Sequence, residues 1–499
     1  MLSKLSLFRK IVFGVLLVLM LALVSPVLGQ DRAEIDLATL LTEIEAGLRT
    51  QPSEEFRAYG LARLGRLYYT RDRVRAKELW KEAFRLSLEL KKKSPLLPLT
   101  QDRNAIEVQR FQQTLGENPL KVQTAILQGL AEKEEWHLAA DLVELLPKHE
   151  VPKPPKGVPV LPLMGREEED LARAAMRVAS GYWKSSPDRS FSLFAAIVSR
   201  FENFPYGLIS SFLATAGERP DVARQAANLV ISQFESRKLD AEVVPVSMSA
   251  LRSMADLLPA LDKTDARRAA EVVRRKLGSL QSESASWKNL APLIEPRLCP
   301  YLSDDATRCQ PTSGSADLAS KLPADVRKSL ETAQARHRAP QVALEDLEQA
   351  VKLAEGIPDS FERAQVLAEI ARVAAKKDPA KAGDLFEAAL KLTDSEAGHS
   401  RNGKLQALIQ IAALSVTLAP EASRRAIKGG LSLIGEDSLE PNEEFERLLF
   451  IHLAVRLLGL WTRIEPGAAL KRIRDLPDVD IRLRALLEAS ENAADVLLG

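Results

Sequence analysis

The chain has 499 residues, enough for about three ordinary domains or for one long repeat array. Apolar residues make up 46% of it and aromatic residues only 5%, so Ala and Leu fill the apolar positions, a composition that favours helix over sheet. The formal charge of +1 leaves no electrostatic footprint for nucleic acid, and the short basic runs at 91–93 and 274–275 read as solvated helix faces.

Residues 1–29 read as a secretory signal peptide. Lys4, Arg9 and Lys10 precede an unbroken apolar run from Ile11 to Val24, and Pro26 then breaks the helix. Val27 and Gly29 stand at the -3 and -1 places of a cleavage site before Gln30. The run has 14 residues, short of the roughly 17–25 that span a bilayer. No Cys follows it, which removes the acylated-lipoprotein route. Cleavage moves the charge from +1 to -2, because three positive and no negative side chains leave. The expected location is outside the cytoplasm, periplasmic or extracellular, with no membrane contact after cleavage. The alternative is an uncleaved N-terminal helix acting as a tether.

The mature chain divides by composition into 30–145, N-terminal helical repeats; 146–165, a Pro-rich linker; 166–280, middle repeats; 281–320, a Cys-containing insertion; and 321–499, C-terminal repeats. The linker carries six prolines and reads as an extended spacer. Six prolines elsewhere open a common pattern: Pro187, Pro220, Pro340, Pro379, Pro420 and Pro466. Three residues on stand Ser190, Ala223, Ala343, Ala382, Ser423 and Ala469, all small. Seven residues on stand Phe194, Ala227, Leu347, Phe386, Ile427 and Ile473, all apolar. Ten residues on stand Ile197, Val230, Ala350, Ala389, Gly430 and Leu476. Offsets of 3, 7 and 10 follow one helical face, since successive side chains turn about 100°. Pro suits the first helical position, and Ser186 and Asp378 suit the N-cap before it. This is the second helix, B, of a repeated pair.

A first helix, A, precedes it. At 359–377, Asp359 caps an Ala-rich stripe of Ala364, Leu367, Ala368, Ala371 and Ala374, small enough for a neighbouring helix to approach closely. The A-then-B order recurs at 55–88, 403–434 and 443–476. The marker prolines are 33, 120, 39, 41 and 46 apart, and the long interval holds another helix pair at 241–280. The predicted fold is all-α: an α-solenoid of stacked antiparallel helix pairs with a period of about 33–46 residues. The predicted repeat-core residues are Trp80, Phe194, Leu347, Phe386, Ile427 and Ile473.

Leu61, Leu64, Gly65 and Tyr68, followed by Ala76, Trp80 and Ala83, resemble the tetratricopeptide motif over about 30 residues. The longer later periods resemble HEAT-type pairs. This resemblance implies stacked helical hairpins and a concave face that binds a peptide or partner protein.

Cys299 and Cys309 are the only cysteines. In an exported chain their ten-residue spacing is easily bridged, and no His within the segment makes it a metal site. A disulfide is expected, contributing on the order of 2–3 kcal/mol. The polar insertion around them is the expected partner-contact segment.

No catalytic constellation emerges. The five histidines lack H-E-x-x-H spacing, and no phosphate-binding Gly-rich motif or G-x-S-x-G occurs. Glu167–Asp170 precede a helix, where negative charge favours the N-terminal dipole. His452, with Arg456 and Arg463, forms a narrow polar stripe on an apolar helix. No cofactor or metal is expected. The functional expectation is an exported, non-enzymatic scaffold for a protein or peptide partner; a membrane-tethered assembly factor and an envelope enzyme on a helical array are the alternatives.

Overall fold

A computed structural model describes residues 36–93, 118–148, 166–201, 204, 206–239, 244–284, 287, 290–291, 294–302, 335–336, 338–394, 401–435 and 444–498. These residues form α-helices and short 3-10 turns, with no β-strand among them. The first helices are α1 (Leu37–Arg49), α2 (Glu54–Tyr68), α3 (Arg73–Lys93), α4 (Pro119–Glu132), α5 (Trp136–Glu144), α6 (Arg166–Tyr182) and α7 (Pro187–Arg200). Next come α8 (Ile209–Ala216), α9 (Pro220–Ser236), α10 (Val244–Leu257), α11 (Lys263–Glu283) and α12 (Glu295–Leu302). The rest are α13 (Leu347–Glu355), α14 (Ser360–Ala374), α15 (Pro379–Thr393), α16 (Arg401–Ser415), α17 (Pro420–Gly435), α18 (Glu444–Trp461), α19 (Pro466–Arg474) and α20 (Val479–Leu498). The chain is a helical-repeat protein built from stacked helix pairs.

Contacts divide it into two compact units, one of Leu48–Ser329 and one of Leu330–Gly499 together with Met1–Gly47. In the first, α4 and α5 pack directly on α6. The helices flanking the Pro-rich stretch therefore belong to one unit.

Local chemistry explains the helix starts. Pro187, Pro220, Pro379, Pro420 and Pro466 each occupy the first position of a helix, where a missing N–H costs nothing. The Ser186 hydroxyl accepts from the Arg189 amide at 3.4 Å, and the Asp378 carboxylate accepts from the Lys381 amide at 3.1 Å. Asp359 caps α14 by accepting from the amides of Phe361 and Glu362. Pro340 is the exception. It lies within the helical residues 338–342, ahead of a turn at 343–345, and α13 starts only at Leu347. Asp346 sets that start, because its side chain accepts from the Gln349 amide at 2.9 Å. In this repeat the Asp346 cap, six residues after Pro340, sets the helix start in place of the proline mark.

The small residue three positions into helix B marks a close A–B crossing. Ser190 donates to the Ala179 carbonyl at 2.6 Å, and Ser423 makes the same bond to Ala412 at 3.0 Å. Both hydroxyls are fully buried, so each bond satisfies a group that would otherwise be costly inside. In the α2–α3 pair, the Trp80 indole fills the gap between the helices and donates to the Ala62 carbonyl at 3.0 Å. Gly65 makes room for it: a Cβ there would lie 2.7 Å from the indole Cδ1.

Neighbouring B helices are laced at their carboxyl ends, where four carbonyls lack helical partners. Arg200 on α7 donates to the Val143 and Glu144 carbonyls at the end of α5, at 2.6 and 3.0 Å. Gln233 on α9 reaches the Val198 carbonyl of α7, and Lys276 on α11 reaches the Arg237 carbonyl beyond α9 at 2.5 Å. The same side-chain job recurs at three successive seams, filled by Arg, Gln and Lys in turn.

In the second unit, α14 to α19 form three pairs, and α20 packs on both α18 and α19. The N-terminal helix then touches α19 and α20. Gly47 lies so close to Leu483 that a Cβ would meet its methyl at 2.5 Å, and Glu43 forms a two-point pair with Arg474 at 2.8 and 3.3 Å. Leu40, Leu41 and Ile44 are fully buried.

Candidate partner-binding face

Five of the predicted repeat-core residues, Trp80, Phe194, Phe386, Ile427 and Ile473, are 0–2% exposed. Leu347 is half-buried, since it begins α13 instead of lying in its second turn. These side chains hold helices together, and none faces a shared site.

Successive A helices pack against one another along the stack more extensively than successive B helices do: α14 on α16 and α16 on α18 exceed α15 on α17. What remains exposed on the A helices of this unit is polar. Glu369 and Arg372 on α14 pair at 3.0 Å, and Gln410 on α16 donates to Glu369 at 3.3 Å. His452 is half-buried on α18, with Arg456 exposed one turn on.

At the amino-terminal end of α14 this face indents into a cleft of about 230 Å³ lined by Arg336, Asp359, Phe361, Glu362, Gln365, Gly403 and Gln406. Arg336 lies 3.6 Å from Glu362, and its guanidinium donates to Gln365 Oε1 at 3.4 Å. Gln365 is only 5% exposed and Phe361 is likewise buried, whereas Gln406 is exposed. The cleft is smaller than the roughly 300–1,000 Å³ of a small-molecule pocket.

Two polar clusters in the other unit look site-like but are structural. Glu135, the residue before α5, is 9% exposed in its side chain. It accepts from the Tyr69 hydroxyl at 2.8 Å, from Lys77 at 2.7 Å and from Arg73. Burial pushes this carboxyl up, but hydrogen bonds from Arg73, Lys77 and Tyr69 outweigh it and hold the group at about 2. Burial and the adjacent Glu135 raise the Tyr69 phenol. Every polar atom that converges there already has a partner in the fold. In the second cluster, Arg189 on α7 reaches Asp141 at 2.7 Å and the Tyr182 hydroxyl at 3.3 Å. Tyr182 in turn lies 2.8 Å from His137 Nδ1. This ties α5, α6 and α7 together.

Other residues singled out from the sequence fall as follows. Glu167, Glu168 and Glu169 lie in the first turn of α6. Cys299 lies on α12 and carries no free thiol, while Cys309 is outside the described residues, as are residues 1–35 with the signal segment. The described part of the 281–320 insertion is packed: Trp287 and Ile294 are fully buried, Leu298 is 2% exposed, and α12 lies on α11. Its apolar residues every four to seven positions draw it into the unit. Among the described residues, no cluster of His, Cys, Asp and Glu has the makings of a metal site, and no helix is long and apolar enough to cross a membrane.

No protein-family description matches the chain, and no curated protein matches it. Among solved structures it is similar to one described as a "Circular tandem repeat protein with novel repeat topology and enhanced subunit contact surfaces", with 14% sequence identity over 93% of this chain and 98% of that one. The TM-score of that superposition is 0.19, so the repeat architecture rests on the helices, caps and seams described above.

Proposed function

We propose that this chain is an exported, non-enzymatic, tetratricopeptide-like scaffold that binds a protein or peptide partner outside the cytoplasm. The observation that carries this reading is the A-helix face of the second unit. Its exposed side chains are charged or carboxamide groups on the three successive A helices α14, α16 and α18, with a cleft at one end, while the apolar residues of the same helices are consumed in stacking. Stacked pairs offer side chains from successive helices at a regular separation, which suits a ligand that runs across several of them. The basic start and the apolar run of residues 1–29 support export.

The test compares the two faces. Protein recovered from the cell envelope is affinity-purified as wild type, as Glu369→Lys on the A face and as Glu387→Lys on the B face. A specific companion retained by the B-face variant and lost with the A-face variant supports the reading. A companion lost equally from both, or catalytic turnover found without any companion, overturns it.

A further inference from the structure

We propose that the α4–α5 pair is a built-in opening point of the first unit: it unfolds locally while its neighbours stay folded, and Gln123 on α4 sets the cost of that step. The proposal stands apart from the reading of the A face. Gln123 is fully buried, and neither its side-chain nitrogen nor its side-chain oxygen has a hydrogen-bond partner. Among the described residues, no other side chain seals away both an unpaired donor and an unpaired acceptor. An amide left unbonded inside is costly, and water restores its bonds once the helix opens. The penalty exists in the closed state only, so it lowers the free energy of opening at α4. Neighbouring seams carry no such defect at their marked polar groups: Ser190 donates to the Ala179 carbonyl, and the Trp80 indole donates to the Ala62 carbonyl.

The turn after α4 adds a second source of strain. Glu134 has a φ of 55° and is the one non-glycine residue with positive φ among the described residues, a conformation that a Cβ makes unfavourable. Local unfolding releases it. The partner helix α5 has nine residues, against 14 in α7, 17 in α9 and 21 in α11, and so brings fewer side chains to the core. Polar clamps at the margin hold the pair instead. Glu135 takes hydrogen bonds from Tyr69, Arg73 and Lys77 on one side. On the other, Arg189 reaches Asp141 and Arg200 reaches the Val143 carbonyl. An interior defect within a clamped rim gives an element that opens as one cooperative piece and recloses in register.

Native-state hydrogen exchange of the full-length protein, read by mass spectrometry, tests this. In wild type, peptides from α4 and α5 should exchange together, at least tenfold faster than peptides from α9 and α11 of the same unit. Gln123→Met keeps an unbranched side chain of similar helix preference and removes both polar atoms; it should slow exchange in α4 and α5 at least fivefold. Glu134→Gly, which leaves the core untouched, should slow both helices as well. Wild-type α4 and α5 exchanging no faster than α9 and α11 overturns the proposal. So does unchanged or faster exchange in a folded Gln123→Met protein, the result expected if an internal water serves the amide. Should Gln123→Met not fold, Glu134→Gly decides, and unchanged or faster exchange there overturns it too.

Discussion

Replacing Glu135 by Gln tests the best-defined electrostatic element of the repeat stack. The carboxylate is 9% exposed and joins α3, the turn carrying Tyr69 and the start of α5. Its drop from 4.5 to about 2 corresponds to roughly 3 kcal/mol of preference for the ionised form in the folded state. Arg73 is 61% exposed and Lys77 33% exposed, so solvent screening reduces the expected loss to about 2 kcal/mol. The folded value is depressed, so this stability is fully present above the unfolded value near 4.5 and disappears as pH falls toward 2. Urea melts of wild type and Glu135→Gln at pH 7, 5, 4 and 3 should show a gap that is constant down to pH 5 and closes below it. A gap under about 0.5 kcal/mol at pH 7, or one that does not change with pH, would refute the reasoning.

Three further outcomes follow from packing and covalent chemistry. Gly65→Ala should cost about 1–3 kcal/mol, because the new methyl meets the Trp80 ring and lies 3.1 Å from the Ala76 carbonyl; Gly383→Ala, whose methyl meets nothing within 4 Å, should stabilise by about 0.5–1 kcal/mol in the same thermal melts. Phe386→Ala, at a fully buried seam, should cost about 3–5 kcal/mol, whereas Glu387→Ala should cost less than about 0.5 kcal/mol, because its pairing with Arg425 is between half-exposed groups. Non-reducing mass analysis of protein from its native compartment should recover Cys299 and Cys309 in one linked peptide, and two alkylatable thiols would count against the bridge.

Local signals were legible and remote ones were not. Five prolines, the caps Ser186 and Asp378, and the small residues Ser190 and Ser423 act within a few residues of their own helix, so spacing alone located them. Pro340 misled because a capping Asp six residues later competes for the same helix start, and sequence periodicity alone does not rank the two. The contact of α1 with α19 and α20 joins residues more than 400 positions apart, including Glu43 and Arg474, and no repeat period encodes it. The cleft was equally hidden. Arg336, Gln365 and Gln406 are ordinary polar residues in three separate elements, and only stacking brings them to one cleft. Glu135 gave no sign either, since its partners lie about 60 residues earlier, at the junction of another pair.

Photo-crosslinking in the native compartment tests the account most directly. A photoreactive residue at Gln406 or Arg372 samples the A face, and one at Lys381 or Lys428 samples the exposed B face. The account predicts one discrete partner adduct from the first two positions and none from the second two. Adducts arising only from Lys381 or Lys428, or equally from all four, would contradict it.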